Sequence, residues 1–179
     1  MFLITSNYKK LEEFRRIIPT IEARKGNDLP EVDGTPEEVV IYKAIQSGRD
    51  SVVEDTILNI NGEDIVDIKW KIDELKNYNG IPNAYWSVIL GYNDGENIRL
   101  YKGVTHGIIN PCSKDDGYGF DPYFIPLGSN KSFGLLEQEG LKDEFSPRKK
   151  ALLNLKNDNP YKILKIKEIP GWTGKYQNC

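Results

Sequence analysis

The sequence predicts an α/β fold, on three observations. The chain opens with a short apolar run, "FLIT" (2–5), a polar turn and then an amphipathic helix. Further short apolar runs follow helical stretches, the pattern of strands covered by helices. Residues 84–103 then carry two strand-like segments around a turn, the signature of a hairpin.

Each element has a local reason. In "YKKLEEFRRII", Leu11, Phe14, Ile17 and Ile18 fall three and four apart, on one helical face. "TIEA" (20–23) reads as the next strand. The turn-rich "NDLPEVDGTPEE" (27–38) ends in a helix start, with Thr35 as N-cap, Pro36 at the first helical position and Glu38 completing a capping box. "SVVE" (51–54) reads as a short strand with Asp55 and Thr56 at its C-terminal end, and "ILNINGEDI" as a strand entering a turn at Asn61-Gly62. In "IKWKIDELKNY", Ile68, Ile72 and Leu75 share a helical face. "AYWSVILGY", "NDGE" and "NIRLYKG" make the hairpin, "THGII" a further strand and "SPRKKALLNL" (146–155) a helix. The tail 169–179 is left open: Trp172 and Tyr176 pack on the body or meet a partner.

Composition narrows the function classes. The 179 residues suit one domain or two closely packed lobes, and 39% apolar with 28% charged residues supports a packed core. A net charge of −3 without a basic run argues against a nucleic-acid partner. Cys112 and Cys179 have no spacing for zinc or a redox pair and read as free thiols of a reducing compartment. The apolar start is too short for a signal peptide and no run is long enough to span a membrane, so a cytoplasmic protein is expected.

Four segments carry candidate chemistry. In "TSNYKK" (5–10) two lysines enter the first turns of a helix, where an anionic ligand would explain them; solvated lysines are the plain alternative. Asp55, at a predicted strand end, and Glu31, in a loop, are carboxylates suited to Mg²⁺, or else a turn cap and a solvated acid. The loop "DDGYGFDPYF" (115–124) is too rich in Gly, Pro and acids for helix or strand. Tyr118, between Gly117 and Gly119, and Phe120, after Gly119, could wall a flat slot for a base, whereas Tyr123 and Phe124 read as core. In "SPR" (146–148), Arg148 opposes the dipole of the helix it starts, which an acceptor in front of its guanidinium would explain. His106 is the sole histidine and reads as structural, and neither a nucleophile elbow nor a Walker or dinucleotide motif is present.

In order and spacing, these segments resemble the inosine triphosphate pyrophosphatases from about residue 2 to residue 155. "FLITSNYKKLEE" is similar to the family's opening Thr-Gly-Asn…Lys turn, "VVEDT" to its acidic strand, "GYGFDPYFIP" to its aromatic Asp-Pro loop and "SPRKKALLNL" to its Ser-His-Arg helix start. The resemblance implies a single α/β domain with a long twisted mixed sheet, flanking helices and two lobes around a central nucleotide cleft. It also implies a cytoplasmic homodimer that hydrolyses nucleoside triphosphates, such as ITP, dITP and XTP, to monophosphate and pyrophosphate with Mg²⁺.

Carried over by position, the resemblance implies that Asp55 and Lys10 are catalytic and that Glu31 and Asp55 hold the metal. It implies likewise that Thr5, Asn7, Lys9, Lys43, Thr56, Lys69, Tyr118, Gly119, Phe120, Asp121, Lys142 and Arg148 bind the nucleotide. Arg148 offers only donors, which would pair with O6 of hypoxanthine or xanthine and not with the amine of adenine. The chain departs from the pattern in three places. Pro147 stands where the family has histidine, Ser6 where it has glycine, and "NINGEDIVD" replaces its Pro-Gly loop. These changes leave two alternatives open: a related pyrophosphatase acting on dUTP, a modified pyrimidine or GTP, and a nucleotide-binding module without turnover.

Overall fold

The computed structural model describes residues 1–26, 30–65 and 68–177, with 68 and 69 described by their backbone. The elements in chain order are β1 (Phe2–Ile4), α1 (Tyr8–Ile17), β2 (Glu22–Arg24), α2 (Pro36–Ser47), β3 (Ser51–Ile60), β4 (Glu63–Ile65), α3 (Ile68–Leu75), β5 (Asn83–Asn93), β6 (Asn97–Ile109), β7 (Phe124–Pro126), α4 (Phe133–Gln138), α5 (Pro147–Lys156) and β8 (Lys162–Lys165). Strands pair in the order β2-β1-β3-β5-β6-β7, with β4 on β3 and β8 on β6. β1 runs parallel to β2 and β3, while β4, β7 and β8 run antiparallel to their partners. The predicted mixed α/β sheet is therefore present.

Helix boundaries follow the cap chemistry. Asn7 caps α1 by accepting from the Lys10 N–H at 3.3 Å. At α2 the box is reciprocal: Glu38 N–H donates to Thr35 Oγ1 (3.3 Å) and Thr35 N–H donates to Glu38 Oε2 (2.8 Å). Leu11 and Phe14 are the buried residues of α1, as the spacing requires.

Two predicted boundaries move. "SVVE" and "ILNIN" form one ten-residue strand, so Asp55 and Thr56 lie inside β3 and not at a strand end. The burial pattern gives the reason: residues 51–54 and 58–60 are buried while 55–57 are only partly covered, so a polar pair fits mid-strand. Likewise "NIRLYKG" and "THGII" are one strand, β6, which passes through Gly103 and Gly107. At Gly107 a Cβ would lie 2.3 Å from the Ile125 carbonyl oxygen, so glycine lets β7 pack close.

Contacts gather into two compact units. The first comprises residues 1–55, 88–103 and 148 to the C-terminus, the second 56–87 and 104–147. The first has a core of Leu3, Leu11, Phe14, Ile21, Val52, Val88, Leu90, Tyr101, Ala151, Leu152 and Leu155. The second buries Leu58, Ile60, Ile72, Leu75, Ala84, Ile109, Phe120, Phe124, Phe133 and Leu136. Among the described residues no helix is long and apolar enough to cross a membrane.

Candidate active site

In the first unit the fold buries a charge cluster. β3 supplies Glu54, whose side chain is 3% exposed. From the start of α5, Arg148 donates through Nε to Glu54 Oε2 (2.7 Å) and through Nη2 to Glu54 Oε1 (3.0 Å), a bidentate fork. Its Nη1 donates to Glu13 of α1. Lys10, one turn earlier on α1, places Nζ 3.1 Å from Glu54 Oε1. Two cations thus balance two carboxylates. Burial pushes the Glu54 pKa up, but the Arg148 guanidinium and the Lys10 ammonium outweigh it and hold the pKa at about 2. Burial also opposes the charge on Arg148, and Glu54 and Glu13 reverse that, so its pKa is raised.

This arrangement gives Arg148 partners that the sequence did not announce. Arg148 was expected to present its guanidinium to a nucleotide, yet three of its N–H groups serve Glu54 and Glu13. A carboxylate this deeply buried needs such a partner. A base oxygen would have to be met by the remaining donors of the same fork. Glu54 itself was missed. Its signal was an acid among the apolar residues of "SVVED".

Other predicted residues of the first unit shape its surface. Thr5 Oγ1 accepts from the Asn7 N–H (3.0 Å), so Thr5 and Asn7 close the β1–α1 turn. Lys9 is exposed beside them, and α1 has no acid in its first turn, which leaves its positive end to an anion. Glu31 Oε1 accepts from Lys43 Nζ of α2 at 2.6 Å. Asp55 is partly buried, and strand alternation directs it and Glu54 to opposite faces of β3.

In the second unit, Lys142 Nζ lies 2.7 Å from Asp121 Oδ2, with both side chains 13% exposed. The aromatic loop divides. Tyr118 is 78% exposed, and Gly119 follows with φ +61°, a left-handed conformation suited to glycine. Phe120, expected at the ligand, is instead 3% exposed in the core, edge-on to Trp86. Burying that ring anchors the loop and leaves Tyr118 as its available aromatic face. Gly134 fixes the loop from behind: its N–H donates to the Asp121 carbonyl (2.7 Å), and a Cβ there would lie 2.1 Å from the Asp116 carbonyl oxygen. Thr56 is partly buried next to Asp55. The Lys69 side chain lies outside the described residues. His106 is exposed against Tyr85. A pocket of about 350 Å³ lined by Asn83, His106, Ile125 and Ser129 contains none of the predicted residues.

Among the described residues no three His, Cys, Asp or Glu side chains gather as a metal site. Mg²⁺ carried by phosphates needs only one or two carboxylates, and those of Glu31 and Asp55 have the required oxygen chemistry. Their chemistry is of the kind Mg²⁺ takes.

Residues 1–158 match the Ham1 family. The chain belongs to the Ham1 family. The matched stretch runs from β1 through α5 and stops before β8. A dITP/XTP pyrophosphatase of Korarchaeum cryptofilum is 32% identical over 166 residues, covering 83% of this chain and 89% of that protein. A dITP/XTP pyrophosphatase of Hyperthermus butylicus is 26% identical over 176 residues, covering 87% and 92%. Among solved structures, the Ham1 protein of Staphylococcus aureus superposes with a TM-score of 0.71 at 22% identity, covering 88% of this chain and 96% of its own. A HAM1 protein from Coxiella burnetii gives 0.67 at 19% identity, with the same coverage. These two establish the Ham1 fold, and the resemblance found in the motifs is to the same family.

Proposed function

We propose that this protein hydrolyses nucleoside triphosphates to the monophosphate and pyrophosphate, with deaminated purines such as ITP, dITP and XTP as its substrates. The observation that carries the reading is the ion pairing of Lys10 and Arg148 with the buried Glu54 carboxylate, in a chain of the Ham1 family. A fixed anion behind Lys10 orients its ammonium, and preorganised charge is the usual main source of catalysis in phosphoryl chemistry. Lys9, Lys10 and Lys43 then take the triphosphate oxygens. For Lys43 this means exchanging the Glu31 carboxylate for a phosphate.

Asp55 accepts the proton of, or orients, the water that attacks the α-phosphorus, a role worth about 10²–10⁴-fold when well placed. The bond from the α-phosphorus to the bridging oxygen breaks, and pyrophosphate leaves with the electron pair. Glu31 and Asp55 are the residues that would hold Mg²⁺, which when bound neutralises charge on the phosphates. Tyr118 stacks on the base, an interaction of about 1–3 kcal/mol. Arg148 donors left over from Glu54 favour an O6 acceptor over an amine.

The test is pyrophosphate release with Mg²⁺ across ITP, XTP, dITP, GTP, ATP and dUTP. Preference for ITP or XTP supports the reading. Preference for dUTP or GTP shifts the base while keeping the reaction, and nucleotide binding without turnover overturns it.

A further inference from the structure

The segment after residue 158 lies beyond the Ham1 match, yet it is closely tied to the first unit. β8 first pairs antiparallel with β6, from Asn97↔Lys165 to Leu100↔Lys162. Residues 170–177 then cross the loop that carries Glu31. Val32 and Tyr176 form an antiparallel bridge. The Gln177 N–H donates to the Glu31 carbonyl (2.8 Å), and the Asp33 N–H donates to the Lys175 carbonyl (2.9 Å). Gln177 Nε2 donates to the Val32 carbonyl at 3.1 Å. Both flanks of Val32, itself 1% exposed, are thereby pinned.

The strap has its own anchors on α2. Trp172 packs edge-on to Tyr42 with centroids 5.1 Å apart, and the Tyr42 hydroxyl donates to the Pro170 carbonyl at 2.9 Å. Trp172 Nε1 donates to the Lys175 carbonyl at 2.8 Å, which shapes the turn 172–175. Two glycines make room for the indole: a Cβ at Gly34 would lie 3.0 Å from it, and one at Gly174 2.6 Å. Tyr42 immediately precedes Lys43, the partner of Glu31. One short segment therefore grips both the loop that carries Glu31 and the helix that carries Lys43.

We propose that the C-terminal strap 170–177 is a positioning element that holds Glu31 and Lys43 in register for the metal-bound triphosphate. The inference rests on the roles given above to those two residues. Its physical basis is entropic. A loop is costly to order, and a part-exposed ion pair such as Lys43–Glu31 fixes little alone. The strap supplies the missing constraint by a backbone ladder and a ring contact. The tryptophan ring meets Tyr42 and the glutamine amide the Val32 carbonyl, so both act through the elements they hold.

The experiment uses full-length Trp172→Ala/Gln177→Ala, Trp172→Phe and Glu31→Gln. Hydrogen exchange is followed at the Asp33 amide, and the half-saturating Mg²⁺ concentration is measured separately from kcat with the preferred nucleotide. In the double variant the Asp33 amide should lose protection and half-saturating Mg²⁺ should rise about 10-fold, as for loss of a group supporting a metal ligand. The kcat at saturating Mg²⁺ should recover, and Trp172→Phe, which keeps a ring against Tyr42, should restore the Mg²⁺ response. Unchanged Asp33 protection, or lost protection with an unchanged Mg²⁺ response, overturns the strap provided Glu31→Gln weakens that response. If Glu31→Gln leaves the response unchanged, the assignment of Glu31 itself fails.

Discussion

Replacing Arg148 by methionine keeps the aliphatic stem while deleting the bidentate donor on Glu54. The Glu54 carboxylate, 3% exposed, then loses its guanidinium fork and keeps Lys10 at 3.1 Å, which is itself 35% exposed. Lowering the Glu54 pKa from 4.5 to about 2 corresponds to about 3 kcal/mol of folded-state stabilisation. Breaking a buried ion pair from one side costs about 3–5 kcal/mol. Protonation of Glu54 limits the loss, so the lower figure, about 3 kcal/mol at pH 7, is expected. Urea unfolding of wild type, Arg148→Met, Glu54→Gln and the double variant measures it. The double variant should be clearly more stable than Arg148→Met, because an amide needs no counter-charge. The sign of the pH effect follows from the depressed pKa. The contribution is full above about pH 4.5 and is lost as pH falls towards 2, so the difference between wild type and Glu54→Gln should close over that window. Arg148→Met within about 0.5 kcal/mol of wild type, the usual range for a surface change, or a double variant no better than the single, would refute the argument.

The two aromatics of the loop should separate cleanly. Phe120→Ala should lower stability by about 3–5 kcal/mol in urea, as a buried ring deletion does. Tyr118→Ala should leave the urea midpoint unchanged and raise KM, reflecting a lost stacking contact of about 1–3 kcal/mol. Gly134→Ala should lower the unfolding temperature and raise KM together, because its Cβ meets the Asp116 carbonyl at 2.1 Å and displaces the loop. Thr35→Ala should cost about 1 kcal/mol in urea through the lost α2 cap, with kcat unchanged.

What the sequence made legible was governed by neighbours in the chain. Thr35, Pro36 and Glu38 announce α2 because a capping box spans four residues. The spacing of Leu11 and Phe14 announces the buried face of α1 for the same reason. The charge cluster was not legible as a cluster, since Arg148 meets Glu54 across 94 positions and Glu13 across 135. Lys10 and Arg148 were both singled out as cations ill suited to a helix start. That Glu54 resolves the conflict for both is a tertiary fact. Asp55 and Phe120 were misplaced for opposite reasons. Asp55 looked like a strand end because acids are scarce inside strands, but the cover over β3 thins at residues 55–57. Phe120 looked like a ligand contact because it follows Gly119 in an aromatic loop, whereas the ring anchors its loop in the core. The tail gave no local signal, because its partners are the backbone of residues 31–33 and the ring of Tyr42.

The central claim is that water attacks the α-phosphorus under the control of Asp55. Hydrolysis of ITP in water labelled with heavy oxygen, followed by mass analysis of both products, tests it most directly. The account predicts the label in the monophosphate, none in pyrophosphate, and loss of both products in a folded Asp55→Asn variant. Label in the pyrophosphate, or in free phosphate, would contradict it.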